Sequence, residues 1–223
     1  MEQIIVKITA IDNLTHNVKR FIVERPAGYG FIPGQATDVS INTPDWKDEL
    51  RPFTFTGLNT WDHLEFTIKI YPDHHGVTEQ LGKLKHGDEL ILHDVFGTIQ
   101  YRGEGIFIAG GAGITPFIAI FRQLYEEGQL GKNKLIFSNR KAEDIILSDQ
   151  LTDWFGKNLI NTLTREETAR YDHSRINKNY LAKNIKDFSQ YFYICGPDPM
   201  VEDIQRILID LGADSNKIIR EQF

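Results

Sequence analysis

The chain has 223 residues, 41% of them hydrophobic and 25% charged, with a formal net charge of −6 at pH 7. That length supports one large domain or two small ones, each with its own core. The acidic balance and the lack of any Lys/Arg block exclude an ordinary nucleic-acid-binding protein, and no apolar run approaches membrane-spanning length. Cys195 is the one cysteine, which excludes an intrachain disulfide framework and a cysteine-ligated iron–sulfur cluster built from this chain. Met1-Glu2-Gln3-Ile4-Ile5 has neither the basic nor the long apolar region of a signal peptide, so a cytoplasmic protein is expected.

From Met1 to about Arg102 the patterning is short and β-like. The runs Ile4–Ile11, Val18–Glu24, Gln35–Ile41, Phe53–Thr56, Leu64–Tyr71 and Glu89–His93 are rich in β-formers. Turn residues such as Asp12-Asn13, Pro26-Ala27-Gly28, Pro33-Gly34 and His86-Gly87-Asp88 separate them. Many short strands with polar turns predict an antiparallel barrel, with one short helix inserted over Gly76–Lys83.

After Gly105 the rhythm changes to strand, helix, strand. Ile106–Ala109, Lys134–Ser138, Asn158–Thr164, Tyr191–Cys195 and Lys217–Arg220 read as strands. Thr115–Glu127, Ala142–Leu151, Lys178–Ile185 and Pro197–Leu211 read as helices. Such alternation predicts a parallel sheet with helices on both faces. The expected organisation is a β-barrel domain over residues 1–102 and an α/β nucleotide-binding domain over residues 103–223.

Gly110-Gly111-Ala112-Gly113-Ile114-Thr115-Pro116 joins the first strand of the second half to its helix. Glycine lets backbone amides approach a ligand, Thr115 can cap the helix and Pro116 fits its first turn. The exposed amides and the helix dipole favour a phosphate. Taken alone, such a turn serves close packing equally well.

In the first half, Arg51-Pro52-Phe53-Thr54 sets a cation, an aromatic ring and a hydroxyl within four residues. A guanidinium can clamp a phosphate, a ring can stack on a flat cofactor and a hydroxyl can donate to a ring nitrogen. Alone, the segment reads as an edge strand with a surface arginine. Gly76-Val77-Thr78 opens the inserted helix, where Thr78 would cap and bare amides offer a second anion site. The adjacent pair His74-His75 reads as a solvated turn rather than a metal site.

These motifs, followed by Cys195-Gly196-Pro197-Asp198-Pro199-Met200 and by Glu221-Gln222-Phe223, stand in the order found in one family. The chain resembles the ferredoxin–NADP reductase superfamily, in particular its single-module flavodoxin/ferredoxin reductases, over essentially its whole length. The resemblance implies a Greek-key barrel that binds FAD, followed by a Rossmann-like domain that binds NADPH. It implies that Arg51 and Pro52 border the flavin phosphates, that Phe53 stacks on the flavin where the family more often has tyrosine, and that Thr54 replaces a serine beside flavin N5. Ile68, Lys69 and Ile70 match the strand that meets the flavin. Gly76, Val77 and Thr78 match the pyrophosphate site.

In the second half the resemblance places Gly111, Gly113 and Thr115 under the nicotinamide nucleotide. Cys195 and Glu221 would flank the nicotinamide, and Phe223 would cover the flavin. An acid after the second strand would favour NADH, but Ser138-Asn139-Arg140-Lys141 offers none, and Arg140, Arg165 and Arg175 favour NADPH. Against this, Asp144 sits four residues from Arg140 and Glu166-Glu167 follow Arg165, each able to neutralise an arginine, so NADH stays open.

The implied function is electron transfer from NADPH through FAD to a separate one-electron carrier, flavodoxin or ferredoxin, with no nucleic-acid or membrane partner. The alternatives are an NAD(P)H:flavin reductase acting on free flavin and a non-catalytic nucleotide-binding regulatory module. The sequence carries no signal for an oligomeric state.

Overall fold

The computed structural model describes residues 3–97 and 99–221. They form two compact units, residues 3–97 with 115–123, and residues 99–114 with 124–221.

The first unit is built on six strands: β1 (Ile4–Thr15), β2 (Val18–Glu24), β3 (Ala36–Ile41), β4 (Arg51–Thr54), β5 (His63–Lys69) and β6 (Glu89–Phe96). Their order is β4-β3-β6-β1-β2-β5 and every pairing is antiparallel. A bridge between Phe55 and Phe66, with Thr56 N–H donating to Glu65 O at 2.8 Å, joins the end of β4 to β5 and closes the barrel. Around it β6 returns to lie beside β3 after the run β3, β4, β5, the Greek-key order expected. Alternating side chains fill the interior: Phe21, Val39, Phe55, Leu64, Phe66 and Leu92 are all fully buried. The helix α1 (Val77–Leu81) seals this core with its two buried residues, Val77 and Leu81.

The described part of the first unit ends with residues 115–123, the start of the helix α2 (Thr115–Glu126). Arg122 there is buried, and its Nη1 donates to Glu65 Oε1 and to Thr56 O, each at 2.6 Å. Thr56 Oγ1 donates to the same carboxylate at 2.7 Å, and the guanidinium lies 4.9 Å from the Trp61 ring centroid.

The second unit contains β7 (Gly105–Gly110), β8 (Lys134–Asn139), α3 (Ser148–Phe155), β9 (Leu159–Leu163), β10 (Asp172–His173), α4 (Lys178–Asn184), β11 (Tyr191–Cys195), α5 (Asp198–Asp210) and β12 (Ile218–Arg220). The sheet runs β10-β9-β8-β7-β11-β12, parallel throughout. Its central strands β7 and β11 are buried along almost their whole length, as a sheet covered on both sides requires. Ile106, Ile108, Ile136 and Ile194 pack with Leu181 of α4 and Ile204 and Leu208 of α5. From the opposite pleat, Phe107 and Tyr193 stack at 4.3 Å. The buried Tyr193 hydroxyl accepts from Arg102 N–H and Gly103 N–H and donates to Gly103 O, so its polar tip is satisfied. Burial pushes its ionisation up to about 12.

One expected helix is broken, and one short strand has no counterpart in the sequence pattern. The helix expected over Ala142–Leu151 is a 3₁₀ turn, Ala142–Asp144, and then α3, because Leu147 adopts φ 53° and breaks the right-handed spiral. The two-residue edge strand β10 carries only polar side chains, so no apolar alternation announces it.

The Arg122–Glu65 pair gives a stability test. Arg122→Met leaves a buried carboxylate without its counter-charge and is expected to cost about 3–5 kcal/mol in urea unfolding. Adding Glu65→Gln should recover much of that loss. Losses that simply add would show that the two groups are not coupled.

Candidate functional site

In the parallel sheet the chain starts at β7, winds outward through β8, β9 and β10, then crosses to β11 and β12. The strand order therefore reverses between β7 and β11, and crevices at the carboxyl ends of such a pair are where ligands bind in open α/β sheets. The turn after β7 occupies that position. Gly111 has φ +54°, and a β-carbon there would meet open space. Gly113 is different: its β-carbon would collide with the Cys195 carbonyl and lie 2.6 Å from Gly196 Cα. Gly110 is hemmed in by Met200 Sδ and Pro197 Cδ. Gly111 is thus required by backbone conformation and Gly113 by the packing of one turn on the next. A 3₁₀ turn, Gly111–Ile114, precedes α2, so Thr115 is the first helical residue and not a flanking cap, with Pro116 second.

Cys195 ends β11, 8% exposed. Ile194 pairs with Arg220 of β12, so one step on brings Cys195 level with Glu221. The thiol donates to Glu221 Oε2 at 3.7 Å. Burial pushes the Cys195 thiol up strongly, and the Glu221 charge adds to the effect. Burial likewise raises the Glu221 carboxyl, partly opposed by the bond from Cys195. A cleft of about 440 Å³ borders the pair, lined also by Gly196, Asp198, Glu202 and Arg220. Phe223 lies outside the described residues.

At the ends of the neighbouring strands, Arg165 N–H donates to Arg140 O at 2.9 Å, which sets two exposed arginines side by side. Two of the acids expected to neutralise them, Asp144 and Glu166, bond elsewhere. Asp144 Oδ2 accepts from Lys141 N–H at 2.9 Å, and Glu166 Oε2 accepts from Ala142 N–H at 2.6 Å. Among the described residues no side-chain partner is seen for Arg140, Arg165 or the likewise exposed Arg175. The Asp144 bond is a local contact back to the N-cap amide, whereas no spacing rule reveals the Glu166 bond, which spans two separate strand ends.

In the barrel, Arg51 and Pro52 are exposed, Phe53 half-buried against the core and Thr54 buried. Arg51 Nη1 donates to Leu50 O at 2.6 Å, and its Nη2 lies 3.6 Å from Glu49. The Phe55–Phe66 bridge brings this segment beside β5, where Ile68 is buried, Lys69 half-buried and Ile70 packed on the core. Thr78 does not cap α1. Gly76 holds the N-cap position with no side-chain hydrogen bond, and Thr78 is the second helical residue. Gly76 and the buried Val77 therefore open a first turn whose amides have no side-chain cap.

The thiol–carboxylate contact is open to direct measurement. Native Cys195 should resist alkylation by iodoacetamide at about pH 8, and Glu221→Gln should speed it, since removing the neighbouring charge favours the reactive thiolate. Equal rates in both proteins would show that the carboxylate does not act on the thiol.

Residues 107–206 match the Oxidoreductase NAD-binding domain. The chain is 26% identical over 236 residues to the reductase component of propane 2-monooxygenase from Rhodococcus jostii, covering 97% of this chain and 62% of that protein. It is 27% identical over 224 residues to NADH-cytochrome b5 reductase 1 of Kluyveromyces lactis, covering 92% and 79%. In fold it matches a ferredoxin NADP+ reductase from Neisseria gonorrhoeae with bound FAD and NADP, with TM-score 0.87, 21% identity and coverage of 99% and 98%. Residues 107–206 therefore carry the likeness to an Oxidoreductase NAD-binding domain, and the antiparallel barrel followed by a parallel sheet has the fold of the ferredoxin NADP+ reductase it matches.

Proposed function

We propose that the chain is an FAD-dependent oxidoreductase that accepts hydride from NADPH and delivers electrons to a separate one-electron carrier of the flavodoxin or ferredoxin type. The observation that carries this reading is the Cys195–Glu221 contact at the carboxyl end of β11, beside the glycine turn. A thiol and an acid held together at the reversal of strand order suit a nicotinamide ring, with Cys195 setting its position and Glu221 holding a proton nearby. Open space over Gly111 accommodates the nucleotide's pyrophosphate close to the backbone.

The barrel residues fit a flavin. Arg51 is exposed and held only by a long contact to Glu49 and a bond to its neighbour's carbonyl, so its guanidinium can turn to a phosphate. The half-buried Phe53 offers a ring face, and the Thr54 hydroxyl a donor for flavin N5. Ile68, Lys69 and Ile70 supply the wall of the flavin pocket. Val77 and Thr78 supply amides that no side chain caps, which suits a second phosphate and so FAD rather than a shorter flavin. When bound, FAD supplies the conversion of a two-electron donor into one-electron steps; the protein supplies position, hydrogen bonds and exclusion of water.

The relatives support an acceptor that is another protein, since one is the reductase component of an oxygenase system and another a cytochrome b5 reductase. One cysteine cannot ligate an iron–sulfur cluster within these 223 residues, so the acceptor's redox centre lies outside them. NADPH is preferred to NADH because Arg140 and Arg165 adjoin with no acid bound to either.

The purified chain should be yellow after gel filtration and bleach on anaerobic addition of NADPH. A colourless protein that reduces added flavin would instead establish the free-flavin reductase, and nucleotide binding without oxidation by any acceptor would establish the regulatory module. Arg51→Ala should lower flavin content, about tenfold in affinity for the loss of one charge-assisted contact. In parallel titrations NADPH should bleach the flavin at lower concentration than NADH, and Arg140→Ala with Arg165→Ala should remove that difference.

A further inference from the structure

We infer that Glu166 is a positioning residue that keeps Arg140 and Arg165 available as a pair for the extra phosphate of NADPH. The inference rests on the NADPH reading above and deepens it by naming what holds the cation pair open.

The paired part of β8 and β9 ends at Asn139 and Leu163. The contact nevertheless continues, with Thr164 N–H donating to Asn139 O and Arg165 N–H to Arg140 O, both at 2.9 Å. Arg140 and Arg165 therefore lie on neighbouring strand extensions joined by a backbone bond. Glu166 stands next to one of them, and in water a surface carboxylate so placed pairs with an arginine at little cost. Such a pair would compete directly with a phosphate. Glu166 instead spans to the first amide of the 3₁₀ turn, Ala142 N–H, at 2.6 Å. A carboxylate accepting from the start of a helical turn makes a short, charge-assisted bond. The Glu166 backbone is held as well: His173 Nδ1 lies 3.0 Å from Glu166 O, and since a carbonyl only accepts, Nδ1 carries the proton. Asp144 treats Lys141 N–H in the same way at 2.9 Å. Asp144 and Glu166 each accept from a backbone amide, and these bonds fix the loop from which Arg140 projects.

The test removes the amide while leaving the acid. Lys141 has φ −135° and ψ 167°, a conformation that a following proline accepts, and Ala142 opens the turn, where a missing N–H is tolerated. Ala142→Pro therefore frees Glu166 to reach Arg165. Calorimetric titration of the full chain with adenosine 2′,5′-bisphosphate and with AMP reads the contribution of the 2′-phosphate alone. Wild type should favour the bisphosphate. Ala142→Pro should lose roughly five- to tenfold of that preference with AMP affinity unchanged, the scale of one charge-assisted contact. Ala142→Pro with Glu166→Gln should regain it, because a neutral amide cannot neutralise an arginine. Preference retained in Ala142→Pro, or not regained in the double variant, overturns the inference while leaving the NADPH reading intact. No preference in wild type overturns the NADPH reading, and this inference with it. Thermal melting reports whether each variant folds. Where Ala142→Pro does not, Glu166→Ala against Glu166→Gln decides: only the glutamine keeps an acceptor for Ala142 N–H, so equal preferences in the two would overturn the proposal.

Discussion

The absence of a β-carbon at Gly113 sets how closely two turns approach in the parallel sheet. With any other residue there, the turn after β7 would be pushed from the Cys195 carbonyl, and with it from Gly196 and the start of α5. Gly110 and Gly196 continue the same contact, with Met200 and Pro197 packed against it. Because main chain meets main chain, the site has little freedom to relax, and the positions of Cys195 and Glu221 follow from it. Gly111 serves the other purpose, a left-handed turn with open space above. The motif thus combines a rigid floor with an accessible amide surface, which a phosphate-binding turn needs.

Elsewhere several polar groups are committed to specific partners. Arg122 and Glu65 satisfy each other and Thr56 within the barrel unit, and Tyr193 satisfies two amides and a carbonyl near the start of the sheet unit. Arg25 donates to the carbonyls of Tyr29, Asn59 and Trp61, tying two barrel loops together. Unpaired, each of these groups would cost more than the bond it makes contributes, so the pairings specify one arrangement more than they add stability. Exposed arginines at the ends of β8 and β9 contrast with these: Asp144 and Glu166 beside them accept from backbone amides.

Much of the architecture is legible in residue patterns. Period-two alternation marks the barrel strands, and strand–helix alternation marks the parallel sheet, because side-chain burial repeats with the geometry of each element. Glycine and proline mark the turn after β7 and the one after β11, since few backbone conformations suit them elsewhere. The pattern fails where local chemistry is ambiguous. Thr78 has the right type for a cap, yet Gly76 takes the N-cap position. Leu147 breaks a helix that its apolar neighbours would continue, and β10 is too short and polar to be seen.

The sequence by itself determined the order of the elements, the two sheet types and the residue types gathered at the strand ends, because these depend on interactions within a few residues. Only the tertiary structure decided which acids meet which donors. Arg122 finds Glu65, Cys195 finds Glu221, and Glu166 finds Ala142 N–H, each across more than twenty positions of chain. Partners so distant are chosen by the register of strands and the packing of turns. That geometry is settled by the whole core at once, and no local pattern records it.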